Sequence, residues 1–490
     1  MIAPTILAVC CGLLVFALIR LRWLRFKQYA HLPGPANSLL WGHIGLIMKL
    51  IRQDTSKHFL VLDLRPAFFP ITVVYSHELA EQISRATPQF KYSLPKAPLQ
   101  DMIGHVIGRD SFLVNNGEPW RETRKMFNAA FAPNRLMTFI PSILEKIDTF
   151  LGVLDGHARS GDVFELGERC TLLTFDVIGQ VILNIDLKTQ GEKSEQHRVL
   201  LNPRKYQQRM QITRTIEASL ASIIQEKFEK LHGDKAAISD RSVLSLALEG
   251  IETLTPQAIQ TSIDSIRTFL FCWIRYNLSR TPRALTALRD ELDQVLGPNA
   301  DPKATADAII CNEAKLNQLV YVTAVIKETL RLHPPAGTSR FAEPGNNFHL
   351  QTPRGLLGVD GAILFLNHFS IQRDRSVYGE SAEAWILERW LQGGDEGDSL
   401  AAGAWRPFER GPRGCIGQEL AMLEARLVLA MAVRRYKFVI VGLGAIADGD
   451  GIIDKHGQHV SAEPLYDVNV QHVGQTVDGT RMRLDRRLLV

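Results

Sequence analysis

Past its N-terminal stretch, the chain gathers apolar positions at residues 59–64, FLVLDL, and again at 71–75, ITVVY. Both runs are short and rich in β-formers, so they predict strands, with a helix following from about Ser76 to Arg85. From there to about residue 335 the pattern is mostly helical. Glu118-Pro119, Thr255-Pro256 and Thr281-Pro282 mark three helix starts, each with a proline at a plausible first position. The last two also offer a threonine cap. Short strands such as AILFL (362–366) then mix with a long irregular stretch that runs through LQGGDEGDSLAAGAW to Cys415. A last helix over about 417–435 and strand-like pieces such as KFVIV close the pattern. The prediction is a mainly α (α+β) protein, a large helical domain with a small β-rich portion.

The N-terminus adds a second element. Residues 2–19 carry no charge and are almost wholly apolar, close to the length a helix needs to cross a bilayer. RLRWLRFK follows, and its positive charge predicts that the body lies on the cytoplasmic side. The prolines of HLPGP (31–35) then make a stiff spacer. The chain is accordingly divided into a membrane anchor with its basic flank, 1–30, and a main domain, 31–490.

Composition narrows the partners. With 490 residues and 46% hydrophobic content the chain can bury a sizeable core. Lys plus Arg, 56, exceeds Asp plus Glu, 52, by only four, so the overall charge gives no support to a nucleic-acid partner. The six cysteines are scattered without a CxxC pair, which predicts no disulfide scaffold and fits a reducing compartment. Cys170 and Cys311 read as small buried apolar residues.

Cys415 has different surroundings, in PFERGPRGCIGQELAMLEARLVLAMAVRRY from Pro407. Gly411, Gly414 and Gly417 let the backbone bend round the sulfur and aim amide N–H groups at it. A helix begins directly afterwards, and a helix N-terminus favours thiolate over thiol. Arg413 stands two residues away, placed for an acidic group on a cofactor. The pattern Phe408-x-x-Gly411-x-Arg413-x-Cys415-x-Gly417 resembles the haem-binding loop of the cytochrome P450 family. The resemblance implies haem b as cofactor, Cys415 as axial iron ligand, Phe408 beside the sulfur and Arg413 on a haem propionate.

Other segments carry the same resemblance. Glu328-Thr329-Leu330-Arg331, within YVTAVIKETLRLHPP, is followed by AWILERW (384–390). By spacing alone Glu328 and Arg331 are a solvated helix pair. The resemblance implies instead that they join Arg389 in a buried cluster supporting the haem loop, with Leu387 where relatives have proline. Trp120 and Arg124 share one helix face in EPWRETRK, and the resemblance gives them, with Arg340 of PPAGTSR, contacts to haem propionates. It further implies a monooxygenase of the membrane-bound fungal kind, acting on an apolar secondary metabolite. An NADPH-dependent reductase would be its partner, and its place a single-pass site in the endoplasmic reticulum membrane.

One stretch departs from the family pattern. TSIDSIRTFLF and CWIRYNLSR match the two flanks of a central helix, but about ten residues between Phe271 and Cys272 are missing. That piece carries the small residues, acid and threonine that make room for oxygen and pass protons to it. Ten helical residues span roughly 15 Å and turn roughly 1000°, so the flanks cannot both keep their faces. Arg275 adds strain if it turns toward an apolar site. A second compression falls around SEQHRVLLNPRKYQ (194–207). If the later half of the helix is anchored, Asp264 and Ser265 slide to within about one residue of the missing pair and could serve as a displaced acid and alcohol. Otherwise both line the solvent side of the helix. Two alternatives to a monooxygenase stay open: a haem-thiolate isomerase or dehydratase, and a haem-binding protein without turnover.

Overall fold

A computed structural model describes residues 59–62, 69–98, 114–191, 242–248, 281–391, 403–441 and 481–486, with isolated helical residues at 15–16, 19–20, 22, 224–227, 229 and 278. The elements used below are, in chain order, β1 (Phe59–Leu62), β2 (Ile71–Val74), α1 (His77–Ser84), α2 (Gly117–Asn128), α3 (Ile140–Ser160), β3 (Phe164–Glu165), α4 (Leu166–Ile178), α5 (Pro282–Leu296), α6 (Val320–Leu332), β4 (Thr338–Phe341), β5 (His349–Thr352), β6 (Gly355–Gly358), β7 (Ile363–Leu366), α7 (Gln418–Ala432), β8 (Tyr436–Ile440) and β9 (Arg481–Arg486). They fall into two compact units, each discontinuous in sequence. The first comprises 1–98, 337–382 and 401–414, and the second 99–336, 383–400 and 415–490.

The first unit holds most of the β-structure. Its sheet runs β1-β2-β7-β4, with β2 and β7 parallel and the outer pairs antiparallel, and β5 and β6 form a separate hairpin. The alternation of strand side chains sorts the apolar residues onto two faces. Phe59, Val61, Val74, Leu364 and Leu366 pack with Leu79, Ala80 and Ile83 of α1. Leu60, Leu62, Val73 and Tyr75 form the opposite cluster. Because both faces are covered, β1 reads as a continuous apolar run rather than an alternating one. Ser76 caps α1, its Oγ accepting from Leu79 N at 3.3 Å. Burying Leu79 and Ile83 contributes about 2 kcal/mol each, which fixes the helix on the sheet.

The second unit is helical. Pro282 sits in the first turn of α5, and Thr281 occupies the cap position, although its hydroxyl makes no capping bond. α3 ends at Gly161, whose φ of 66° is the left-handed conformation that closes a helix. α4 continues into a π turn at Gly179–Leu183, which the sequence pattern did not predict. A small sheet, β3-β9-β8, accompanies the helices.

The predicted strands and the helices at 76–85, 118, 281 and 417–435 are therefore present within a few residues. Thr255-Pro256, residues 194–207 and the Phe271–Cys272 seam with Arg275 lie outside the described residues. Among the described residues no helix is long and apolar enough to cross a membrane. Of the apolar 2–19 stretch, Val15, Phe16 and Ile19 are described, helical and exposed.

Candidate functional site

In the second unit, Cys415 stands just ahead of α7, with Gly417 at the cap position. The backbone N–H groups of Gly417 and Gln418 donate to the sulfur, as the glycine spacing predicted. Burial nevertheless pushes the thiol up. These two amides and the Arg124 charge pull it down without offsetting the desolvation. The amides at the helix start favour the thiolate, as expected, but desolvation is the larger effect. Arg124 follows Trp120 by one turn on α2. Trp120 is buried and Arg124 half-buried, its Nε donating to Asn128 Oδ1 at 2.9 Å. Burial lowers the Arg124 pKa, and the Cys415 charge raises it.

The same unit brings Glu328, Arg331 and Arg389 together. All three side chains are fully buried. Arg331 donates Nε to Glu328 Oε2 at 2.8 Å and Nη2 to Oε1 at 2.9 Å, while Arg389 Nε reaches Oε1 at 3.2 Å. The Ile386 amide and the Trp390 indole complete the shell, both at 2.8 Å. A surface pair at this spacing is worth a few tenths of a kcal/mol. Here the carboxylate is satisfied on both oxygens, so removing a partner would strand a buried charge. Leu387 stands in place of the expected proline and starts a 3₁₀ turn, Leu387–Trp390, in which Leu387 and Arg389 are buried.

The first unit supplies the loop that precedes the cysteine. Gly411 has a φ of 70°, and a Cβ there would collide with the Ser84 carbonyl oxygen, so only glycine fits. Arg413 is buried, and Phe408 is half-buried with its ring edge-on to Trp405 at 6.2 Å. Arg340, on β4, is completely buried, with Nη1 donating to Thr338 Oγ1 at 2.8 Å and to Ser339 O at 3.3 Å. Burial lowers its pKa, Glu409 raises it, and Arg406 lowers it again.

Three residues absent from the sequence reading join this cluster. Lys96 bridges Arg340 across the backbone and donates Nζ to Thr338 Oγ1 at 2.5 Å. Half-buried as a residue, it has an enclosed ammonium, and desolvation, then Arg340, hold its pKa well below the ordinary lysine value. Glu409 and Arg406 pair at 2.6 Å. No motif signals any of the three: Lys96 meets Thr338 from 242 positions away, and Arg406 and Glu409, three positions apart, meet Ser84 only once the chain folds. Cys311 corrects another expectation. It is exposed at the end of the Pro302–Cys311 helix, and Cys170 is only half-buried. Asp264 and Ser265 lie outside the described residues.

Comparison with known proteins agrees with these features. The Cytochrome P450 family model matches residues 33–450. Cytochrome P450 monooxygenase acrF of Aspergillus aculeatus is 30% identical over 77% of this chain and 83% of its own length. Cytochrome P450 monooxygenase polC of Polytolypa hystricis is 27% identical over 84% and 83%. A cytokinin hydroxylase of Arabidopsis thaliana is 25% identical over 88% and 90%.

Proposed function

The chain belongs to the cytochrome P450 family of haem-dependent oxidoreductases, and from that premise we propose that it oxidises an apolar small molecule, a secondary metabolite, as a membrane-anchored monooxygenase. The observation that carries the reading is Cys415, placed at the start of α7 with two amides aimed at its sulfur. The surroundings fit haem b. Arg340 Nε and Nη2 and Arg406 Nε and Nη1 are buried without hydrogen-bond partners among the described residues. Among the described residues, Arg340 and Arg406 share a single buried carboxylate, Glu409. Such an excess of positive charge calls for an anion, and a porphyrin with two propionates is a dianion.

When bound, haem supplies the iron at which molecular oxygen is activated. The chain's residues then divide the remaining tasks. Cys415 would hold the iron through its sulfur, and Phe408 would shield that sulfur. Trp120, Arg124, Arg340 and Arg413 hold the propionates through charge-assisted hydrogen bonds. Lys96 joins them, since a propionate beside its ammonium would favour the charged form that burial now penalises. Glu328, Arg331 and Arg389 support the loop. One oxygen atom would enter the substrate and the other would leave as water, taking up two protons and two electrons that arrive from NADPH through a separate reductase. Residues 1–30 would anchor the protein in the endoplasmic reticulum membrane, with 31–490 as the catalytic domain facing the cytoplasm.

Purified chain with its reductase should show substrate-dependent oxygen uptake driven by NADPH, and a ferrous–carbon monoxide band of the thiolate type. Asp264→Asn should slow substrate oxidation; unchanged turnover would sink the displaced acid–alcohol relay. The missing piece at Phe271–Cys272 supports a second reading, an isomerase or dehydratase, which needs no oxygen-derived protons. Conversion of substrate without any reductant would select it. The thiolate band without product from any substrate pool would instead indicate haem binding without turnover.

A further inference from the structure

We propose that Glu409 is a positioning residue, a buried anion that sets how much of the Arg340 and Arg406 charge acts on the haem carboxylates and thereby lowers the reduction potential of the iron. This rests on the haem-binding reading above.

The backbone is the first observation. Glu409 has a φ of 61°, in the left-handed region that glycine adopts freely and other residues do not. Such a conformation costs on the order of 1 kcal/mol or more and persists only where the surroundings over-determine it. A glutamate in the place where glycine would be unstrained must be held by its side chain.

That side chain is the second observation. It is 8% exposed, and both carboxylate oxygens are engaged. Oε1 accepts from Arg406 Nη2 at 2.6 Å, from Ser84 Oγ at 3.0 Å and from the Arg410 amide at 3.0 Å. Oε2 lies 3.3 Å from His368 Nε2 and 4.0 Å from Arg340 Nη2. Burial opposes its charge, but His368, Arg406 and Arg340 outweigh that penalty and hold the carboxyl well below the usual carboxylate range. The group is therefore an anion at neutral pH.

The third observation is what it leaves undone. Glu409 occupies one nitrogen of Arg406 and stands 4.0 Å from one of Arg340, while Arg340 Nε and Nη2 and Arg406 Nε and Nη1 keep no hydrogen-bond partner among the described residues. Glu81, partly exposed, approaches Arg406 Nη1 only to 3.9 Å. The carboxylate thus cancels part of the cationic field without using up the donors. A residue that only pinned the loop to α1 would need the Ser84 bond and not this position between two arginines.

The competing role, loop pinning, predicts changes in stability but none in potential. A negative charge that offsets Arg340 and Arg406 would weaken their neutralisation of the haem carboxylates and so favour the ferric state, and removing it must shift the midpoint potential upward. Two variants of the full-length chain separate the roles. Glu409→Gln keeps the shape and removes the charge. Glu409→Gly removes the charge and also relieves the backbone, so it guards against a glutamine variant that fails to fold. Spectroelectrochemical titration of the haem-loaded proteins should give a midpoint potential more positive than wild type in both variants, with the thiolate-type carbon monoxide band retained. Haem-loaded variants whose potential is unchanged or lowered would overturn the proposal. So would loss of haem from the glycine variant, which would make the role structural. Failure of the underlying reading is visible separately, as a wild-type chain that gives no thiolate-type band.

Discussion

Glu424 shows how much a single buried acid can report. It lies on α7, with Thr174 of α4 donating Oγ to its carboxylate at 2.9 Å, and burial pushes its pKa up to about 7 despite that bond. A carboxyl raised in the folded state binds more protons there than in the unfolded chain between its ordinary value of 4.5 and about 7. Its contribution is fully present below pH 4.5 and is lost as the pH rises through 7. The difference is on the order of 3 kcal/mol. Glu424→Gln should therefore flatten the pH dependence of stability across that window and raise stability at pH 8, measured by denaturant unfolding at several pH values. Trp390 gives a second prediction at this scale. Trp390→Phe keeps a ring near the Lys327 ammonium but removes the indole donor to Glu328. Loss of a hydrogen bond to a charged group costs about 1.5–3 kcal/mol, so the urea midpoint should fall with the slope unchanged. Cys415, Glu328, Arg331 and Arg389 were legible because a motif marks each one. Trp390, Lys96 and Glu409 were not, since their roles exist only once distant segments meet.

Individual elements were legible wherever periodicity and punctuation agree. α1 has its serine cap and its buried Leu79, Ala80 and Ile83 at helical spacing. α5 has its proline in the first turn. β1 and β2 are apolar on both faces. The π turn after α4 was hidden, because a helix that tightens or loosens by one residue keeps nearly the same apolar pattern. The loop before Cys415 is the element with the least tolerance. Gly411→Ala would drive a Cβ into the Ser84 carbonyl of α1 and force a left-handed φ on alanine. Neither atom set can yield cheaply, since both are backbone. The expected outcome is a chain that is expressed but holds little haem, checked by haem content per mole of protein. Gly117→Ala, also at positive φ but with open space around its Cβ, should retain haem and serves as the control.

At the scale of the whole molecule, family membership was readable because its motifs are spread from Trp120 to Cys415. The substrate was not, because a pocket is lined by scattered residues that share no pattern. The division into two units was hidden for a similar reason: each unit is assembled from three separate stretches of chain. β2 and β7 are neighbours in the sheet, yet Val74 pairs with Leu366. A chain ended at residue 336 would lack β4 and β7 and leave the β1–β2 pair alone, and two strands are marginal in water. Such a truncated chain should aggregate and show no protected strand amides by hydrogen exchange. On a ribosome the same interleaving becomes a matter of time. At about 5–20 residues per second, β2 waits roughly 15–60 s for its parallel partner to be made. The glycine loop and the sulfur emerge later still. A cell making this protein has to keep an apolar sheet edge from finding another chain throughout that delay, and no cofactor can be received until it ends.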